Sequence, residues 1–156
     1  MTHLKKGDDA PTFSIPDQNG KKVSLKDFKG EKLVIYFYPK DMTPGCTNQA
    51  CNLRDHFSEL KKEGVKILGV SADDEKRHQK FIDKHELPFT LLADVDKEMI
   101  KSYGIWGEKK FMGKVYDGIH RTTFLINEEG KVHDVIKKPK TKEHAEEILE
   151  SFKNEQ

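Results

Sequence analysis

The strongest hydrophobic run in the chain is Leu33-Val34-Ile35-Tyr36-Phe37-Tyr38, bounded by Lys32 and Pro39. A short β-branched and aromatic run with no charged position predicts a strand buried on both faces. Val65 to Val70 predicts a second strand. Thr122 to Ile126, then Asn127 and the turn residues Glu128-Glu129-Gly130, then Val132 to Ile136, predict two strands joined by a tight turn. Between these segments the pattern becomes helical. Ala50, Leu53, Phe57 and Leu60 recur at spacings of three, four and three, which places them on one stripe of a single helix ending before Gly64. Phe81 and Ile82 centre a second helix after Asp73-Asp74, and Met99, Ile100 and Tyr103 a third that ends at Gly104. Ala145, Ile148, Leu149 and Phe152 mark a fourth, with Thr141 as its expected N-cap. The alternation predicts an α/β fold with a mixed central sheet flanked by helices. Such folds place their chemistry where strands turn into helices at the carboxyl edge of the sheet, and the first such turn here is Pro39 to Cys46.

Gly and Pro are spread as turn punctuation, and there is no repeat or low-complexity tract, so one domain over residues 1–156 is expected. Hydrophobic and charged residues each make up 35% of the chain with formal net charge +1, a balance that points to neither nucleic acid nor membrane. The basic stretch Lys137, Lys138, Lys140 and Lys142 reads as a solvated loop rather than an anion patch. No apolar run approaches the roughly 20 residues that span a bilayer. Residues Met1 to Phe13 carry Lys5, Lys6, Asp8 and Asp9 and have no apolar core of a secretory signal, so a cytoplasmic location is expected. In a reducing cytosol, two cysteines close in sequence are reactive or metal-binding more often than they are a structural disulfide.

Cys46 closes the turn Pro39-Lys40-Asp41-Met42-Thr43-Pro44-Gly45 and falls at or just inside a helix start. Unpaired backbone N–H groups and the positive end of the helix dipole favour an anion there, hence the thiolate over the thiol. Thr43 could turn its hydroxyl back to the sulfur or to a bound oxygen, and Pro39 and Pro44 stiffen the loop. Asp41 is expected to point outward, because a carboxylate beside the sulfur would oppose the thiolate. If Cys46 and Cys51 lie on one continuous helix, their Cα atoms are roughly 8.7 Å apart. A disulfide tolerates about 7 Å, so joining them would require the first turns of the helix to unwind. Three readings compete. Zinc is short of ligands, since Cys46, Cys51 and His56 supply three at most; two inert core cysteines and a reactive pair both remain open; a C-x-x-C motif is excluded by the four intervening residues. The seven histidines show no paired-ligand spacing, and His120 is the one closest to the proposed site; Trp106 is expected to pack a loop.

The stretch Phe37-Tyr38-Pro39-Lys40-Asp41-Met42-Thr43-Pro44-Gly45-Cys46-Thr47 resembles the peroxidatic motif of peroxiredoxins, and Cys51 five positions on is similar to the Bcp/PrxQ subfamily. Gly7 to Phe13, Gly69-Val70-Ser71, Tyr103 to Lys110 and Arg121 to Ile126 extend the resemblance through nearly the whole chain. It implies a thioredoxin-like fold and a monomer. It makes Cys46 the peroxidatic nucleophile, with Pro39, Thr43 and Arg121 completing its site and Cys51 as the resolving cysteine. Arg121 has an independent rationale, since a guanidinium at the start of a core strand calls for an anion partner. Gln49 departs from the glutamate of many relatives, which puts any acid role at that position in doubt.

The resemblance implies that the Cys46 thiolate attacks a peroxide to give a sulfenic acid, that Cys51 condenses with it, and that thioredoxin or a similar dithiol protein reopens the disulfide. The scheme calls for no metal, haem or nucleotide cofactor. A reading from another class is a peroxide-sensing switch or holdase, in which the same disulfide forms once without sustained turnover.

Overall fold

The computed structural model describes residues 2–154. A short hairpin of β1 (Ser14–Pro16) and β2 (Lys22–Ser24) leads through a 3-10 turn into the apolar run, which forms β3 (Lys32–Phe37). Then follow α1 (Pro44–Asp55), α2 (Phe57–Lys62), β4 (Val65–Ser71), α3 (Glu75–His85), β5 (Thr90–Ala93) and α4 (Glu98–Ser102). A second hairpin of β6 (Trp106–Phe111) and β7 (Lys114–Ile119) precedes β8 (Thr122–Ile126), β9 (Val132–Ile136) and α5 (His144–Lys153).

The main sheet has five strands in the order β5-β4-β3-β8-β9. β3 runs parallel to β4, β4 parallel to β5, and β8 antiparallel to both β3 and β9, so the sheet is mixed as expected. β3 is central and buried on both faces. Leu33, Ile35 and Phe37 pack on one side with Met99 and Ile100 of α4. Val34, Tyr36 and Tyr38 pack on the other with Cys46, Ala50 and Leu53 of α1, Phe81 of α3 and Ile148 of α5. The period of two along β3 thus divides its side chains between two separate cores. Among the described residues no helix is long and apolar enough to cross a membrane.

Two local expectations need correction, and one hairpin was not foreseen. The stripe from Ala50 to Leu60 is not one helix: His56 (φ −108°, ψ 13°) interrupts it between α1 and α2. Both the backbone N–H and the ring Nδ1 of His56 reach Asn52 O, and its Nε2 lies 3.0 Å from a Glu146 oxygen, so the ring is held at the break. The stripe survives because Leu53 and Leu60 are buried and Phe57 partly so. Thr141 does not cap α5, whose N-cap residue is Glu143 with no side-chain cap of its own. Asn52 of α1 does that work from outside: its Oδ1 accepts from Ala145 N–H at 2.7 Å and its Nδ2 donates to Lys142 O at 2.9 Å. The β6–β7 hairpin carried no signal in the sequence because most of its side chains face solvent. Its turn is Met112-Gly113, both at positive φ (50° and 79°) as a two-residue hairpin loop demands. Trp106 opens that hairpin, packed against the core with Lys97 Nζ 5.2 Å from its ring centroid. Lys137, Lys138, Lys140 and Lys142 lie exposed in the loop from β9 to α5, as expected.

Candidate active site

The site is built where β3 ends. Tyr38 continues the ladder one residue further, its N–H on Val70 O at 3.1 Å, and half-buried Pro39 then ends the pairing because proline has no N–H to give. Met42 takes a left-handed conformation (φ 66°), which turns the chain towards α1. Thr43 is the N-cap residue, Pro44 the first helical residue and Cys46 the third. Pro44 fits that position because its missing N–H and fixed φ suit a helix start. The N–H groups of Gly45 and Cys46, in the first helical turn, have no intrahelical acceptor.

Cys46 is 1% exposed and is a free thiol. Arg121 reaches it from the sheet. Thr122 of β8 stands opposite Phe37 of β3, so Arg121, one residue earlier, emerges at the edge where β3 gives way to the loop. Its Nη2 donates to Cys46 Sγ at 3.2 Å and its Nη1 donates to Gln49 Oε1 at 2.7 Å. The guanidinium fork is thereby fixed to two atoms of the first turns of α1, each by a charge-assisted hydrogen bond. Gly45 permits this approach: a Cβ there would lie 3.2 Å from Arg121 Nη2, tight enough to push the guanidinium away. Fully buried Gln49 contributes its carbonyl oxygen, a role that needs no acid, while its Nε2 has no partner among the described residues. Lys109 of β6 supplies a second nearby cation, its Nζ donating to Ile119 O at 2.9 Å. Burial and then the Arg121 charge lower the Lys109 pKa, while Cys46 acts in the opposite sense.

One expectation about the turn, the outward Asp41, is overturned, and of the two partners expected for Thr43 the sulfur is not the one it meets. Thr43 donates its hydroxyl hydrogen to Lys40 O at 2.9 Å, not to the sulfur, so in this state only its oxygen lone pairs remain for a partner. Asp41 does not point outward but is 1% exposed. Its two oxygens are taken by the Tyr38 hydroxyl and by His78 Nδ1 at 2.6 Å, and its N–H donates to Asp73 Oδ2 at 2.8 Å. His78 Nε2 in turn donates to Leu92 O at 2.9 Å. A buried carboxylate is tolerated when fully hydrogen-bonded, and this one pins the loop to α3 and β5. Asp41, Asp73 and His78 are close enough to hold a cation, yet hydrogen bonds already occupy these groups.

Cys51 lies on the same continuous helix as Cys46 but is half-exposed and faces α3, where its Sγ is 3.8 Å from His85 Nδ1. His120 instead donates Nε2 to Glu108 O at 3.0 Å. The histidine that touches a cysteine is therefore His85, 34 residues from Cys51, a separation that follows no recognisable motif spacing. His56, weighed as a ligand beside the cysteines, turns its ring to Asn52 and Glu146.

Residues 6–135 align with a family model described as AhpC/TSA. The chain belongs to the AhpC/TSA family. Peroxiredoxin Bcp of Escherichia coli K12 is 52% identical over 153 residues, covering 98% of each chain. Peroxiredoxin Bcp of Bacillus subtilis is 43% identical over 148 residues, covering 95% of this chain and 94% of the relative. A cysteine-to-serine mutant of Xanthomonas campestris peroxiredoxin Q superposes with TM-score 0.88 at 36% identity, covering 96% of this chain and 98% of that one. The Xanthomonas campestris bacterioferritin comigratory protein, solved in a study of its alkyl peroxide reduction activity, superposes at TM-score 0.87 with 36% identity, covering 98% of each chain. The resemblance to Bcp/PrxQ peroxiredoxins is borne out, and with it the thioredoxin-like fold and the enzyme class of peroxidase.

Proposed function

We propose that this peroxiredoxin reduces hydrogen peroxide and organic hydroperoxides at Cys46, forms a Cys46–Cys51 disulfide, and is re-reduced by thioredoxin or a similar dithiol protein. The observation that carries the reading is the Arg121 guanidinium bridging Cys46 Sγ and Gln49 Oε1. It favours the thiolate before reaction. It also stands where charge develops on the leaving oxygen as the O–O bond breaks, alongside the free N–H groups of the helix start. Pro39 and Thr43 shape the loop around the sulfur. The alkyl peroxide reduction of the Xanthomonas relative supports organic hydroperoxides as substrates.

The cycle balances without a cofactor. The thiolate takes the terminal peroxide oxygen, giving a sulfenic acid and water or an alcohol; Cys51 displaces water to form the disulfide; an external dithiol restores both thiols. A reducing compartment such as the cytoplasm, with the chain working as a monomeric unit, fits this cycle.

The test is a peroxide-consumption assay coupled to thioredoxin, thioredoxin reductase and a nicotinamide reductant. Wild type should turn over continuously; a single stoichiometric oxidation would favour a sensor instead. Cys46→Ser should show no turnover above background, because an alcohol supplies almost no anionic nucleophile near neutral pH. Cys51→Ser should undergo the first oxidation and accumulate a trappable sulfenic acid on Cys46. Label on any other residue, or normal turnover by either variant, would reverse the assignment.

A further inference from the structure

We propose that His85 is the base that takes the proton from Cys51 as Cys51 resolves oxidised Cys46, an inference that rests on the roles of the two cysteines given above. The two sulfurs have different surroundings. Cys46 is buried against a permanent cation, whereas Cys51 is half-exposed and its hydrogen-bond partner is an imidazole nitrogen at 3.8 Å. A free thiol has a pKa of about 8.5, so only a few per cent is thiolate at pH 7, and an adjacent base is the common remedy.

The imidazole is placed rather than incidental. His85 is the last residue of α3, and its ring meets Phe81 edge-on with centroids 5.4 Å apart, which restricts the plane of the imidazole. Its carbonyl accepts from Arg54 Nη1 at 2.8 Å, which ties this end of α3 to α1 within one turn of Cys51. The charged groups facing the ring are Arg54 from α1 and Lys84 from α3. Burial and then these two cations lower the His85 pKa below 6.5, so at neutral pH the ring is uncharged and Nδ1 can accept a proton. A heavy-atom distance at the long end for N and S is usual in a resting site.

The step is balanced within the site. His85 Nδ1 takes the proton from Cys51 Sγ; the sulfur electron pair forms the S–S bond with Cys46 Sγ. The Cys46 S–O bond breaks and its electrons leave with the oxygen, which takes a proton from the imidazolium and departs as water. His85 returns to its neutral form. The oxidant is the peroxide oxygen already held on Cys46.

The experiment is a single turnover. Reduced protein is mixed with one equivalent of hydrogen peroxide and quenched at intervals into a sulfenic-acid trap and an alkylating agent, with mass spectrometry counting sulfenic acid and disulfide between pH 5.5 and 9.5. Wild type is compared with His85→Ala and His85→Gln, and oxidation of Cys46, which His85 does not touch, reports on folding. Disulfide formation at pH 7 should slow about tenfold to thirtyfold in both variants, the upper figure being the gain of a fully ionised thiol over one with pKa about 8.5. Their rates should climb about tenfold per pH unit and meet wild type above pH 9, whereas wild type should fall off only as acid protonates the imidazole. Variants within threefold of wild type with the same pH profile would overturn the proposal. In a Cys46→Ser background, His85→Ala should also slow alkylation of Cys51 at pH 7, and equal rates would count equally against it. Absence of sulfenic acid or disulfide in wild type would instead bring down the peroxidase reading itself, and this proposal with it.

Discussion

The two halves of α1 are held in different ways. The half that begins at Pro44 is fixed to the sheet edge through Arg121, which grips Cys46 Sγ and Gln49 Oε1. The half from Cys51 to Asp55 is fixed by bonds that no reacting atom takes part in. Asn52 closes two hydrogen bonds on the entrance of α5, Arg54 donates to His85 O, and Leu53 is fully buried. The first half therefore depends on a contact with an atom that oxidation would alter, since a sulfenic acid or a disulfide would change the sulfur to which Arg121 donates. A helix built this way can open at one end while the other end, carrying Cys51 and facing His85, stays in place.

The largest break in that asymmetry is Arg121→Ala. It removes both bonds of the first half at once and leaves Gln49 Oε1 buried without its donor. If the guanidinium supplies one transition-state interaction of the oxyanion-hole type, Cys46 oxidation should slow roughly a hundredfold, or about 3 kcal/mol. Rapid-mixing measurement of the oxidation step decides it. A change below about threefold in a folded variant would reduce Arg121 to a structural brace.

Asn52→Ala acts on the other half and should have a smaller effect. Removing a helix cap costs about 1 to 2 kcal/mol. Alanine regains about 0.5 kcal/mol through its better helix propensity. The net loss of stability should be about 1 kcal/mol by denaturant titration, with the rate of peroxide attack on Cys46 within twofold of wild type. A stability loss near zero would mean that the second half is not anchored through α5. A large loss of attack rate would mean that the two halves do not act independently.

What the sequence made legible, and what it hid, follows from the reach of each interaction. The turn from Pro39 to Cys46 and the apolar run before it are local patterns, so the strand, the helix start and the place of Cys46 on it were readable. Arg121 was readable because a guanidinium beside a buried strand is chemically conspicuous. Asp41 was misjudged because its environment comes from His78 and Asp73, 37 and 32 residues further on, and a carboxylate with no visible partner is rightly assigned to solvent. Asn52 and His85 were passed over for the same reason: their partners lie on α5 and α1 respectively. The break at His56 was hidden because the apolar stripe continues across it into Phe57 and Leu60, so periodicity alone joined two helices into one.

The finest test of the asymmetry is hydrogen exchange on reduced and oxidised protein. Both cysteines sit on the continuous helix Pro44–Asp55, where a five-residue separation puts their Cα atoms roughly 8.7 Å apart against a disulfide limit near 7 Å. If the proposed disulfide forms, something in α1 must yield. The first turn is the cheaper choice: Thr43 provides no side-chain cap, Gly45 adds backbone freedom, and Asn48 is a mediocre helix former. When Pro44 to Thr47 unwind, the amides of Asn48 to Cys51 lose their i−4 acceptors, so exchange there should accelerate at least tenfold, about 1.4 kcal/mol of local stability. The His56 amide bonds to Asn52 O and the Leu60 amide to His56 O, both acceptors beyond the opening, so their protection should change little. The ties of Asn52 and Arg54 set the limit of the opening. Acceleration that reaches His56 and Leu60 equally would show the helix moving as one body. Unchanged protection at Asn48 to Cys51, with the disulfide confirmed by mass, would place the movement outside α1 altogether.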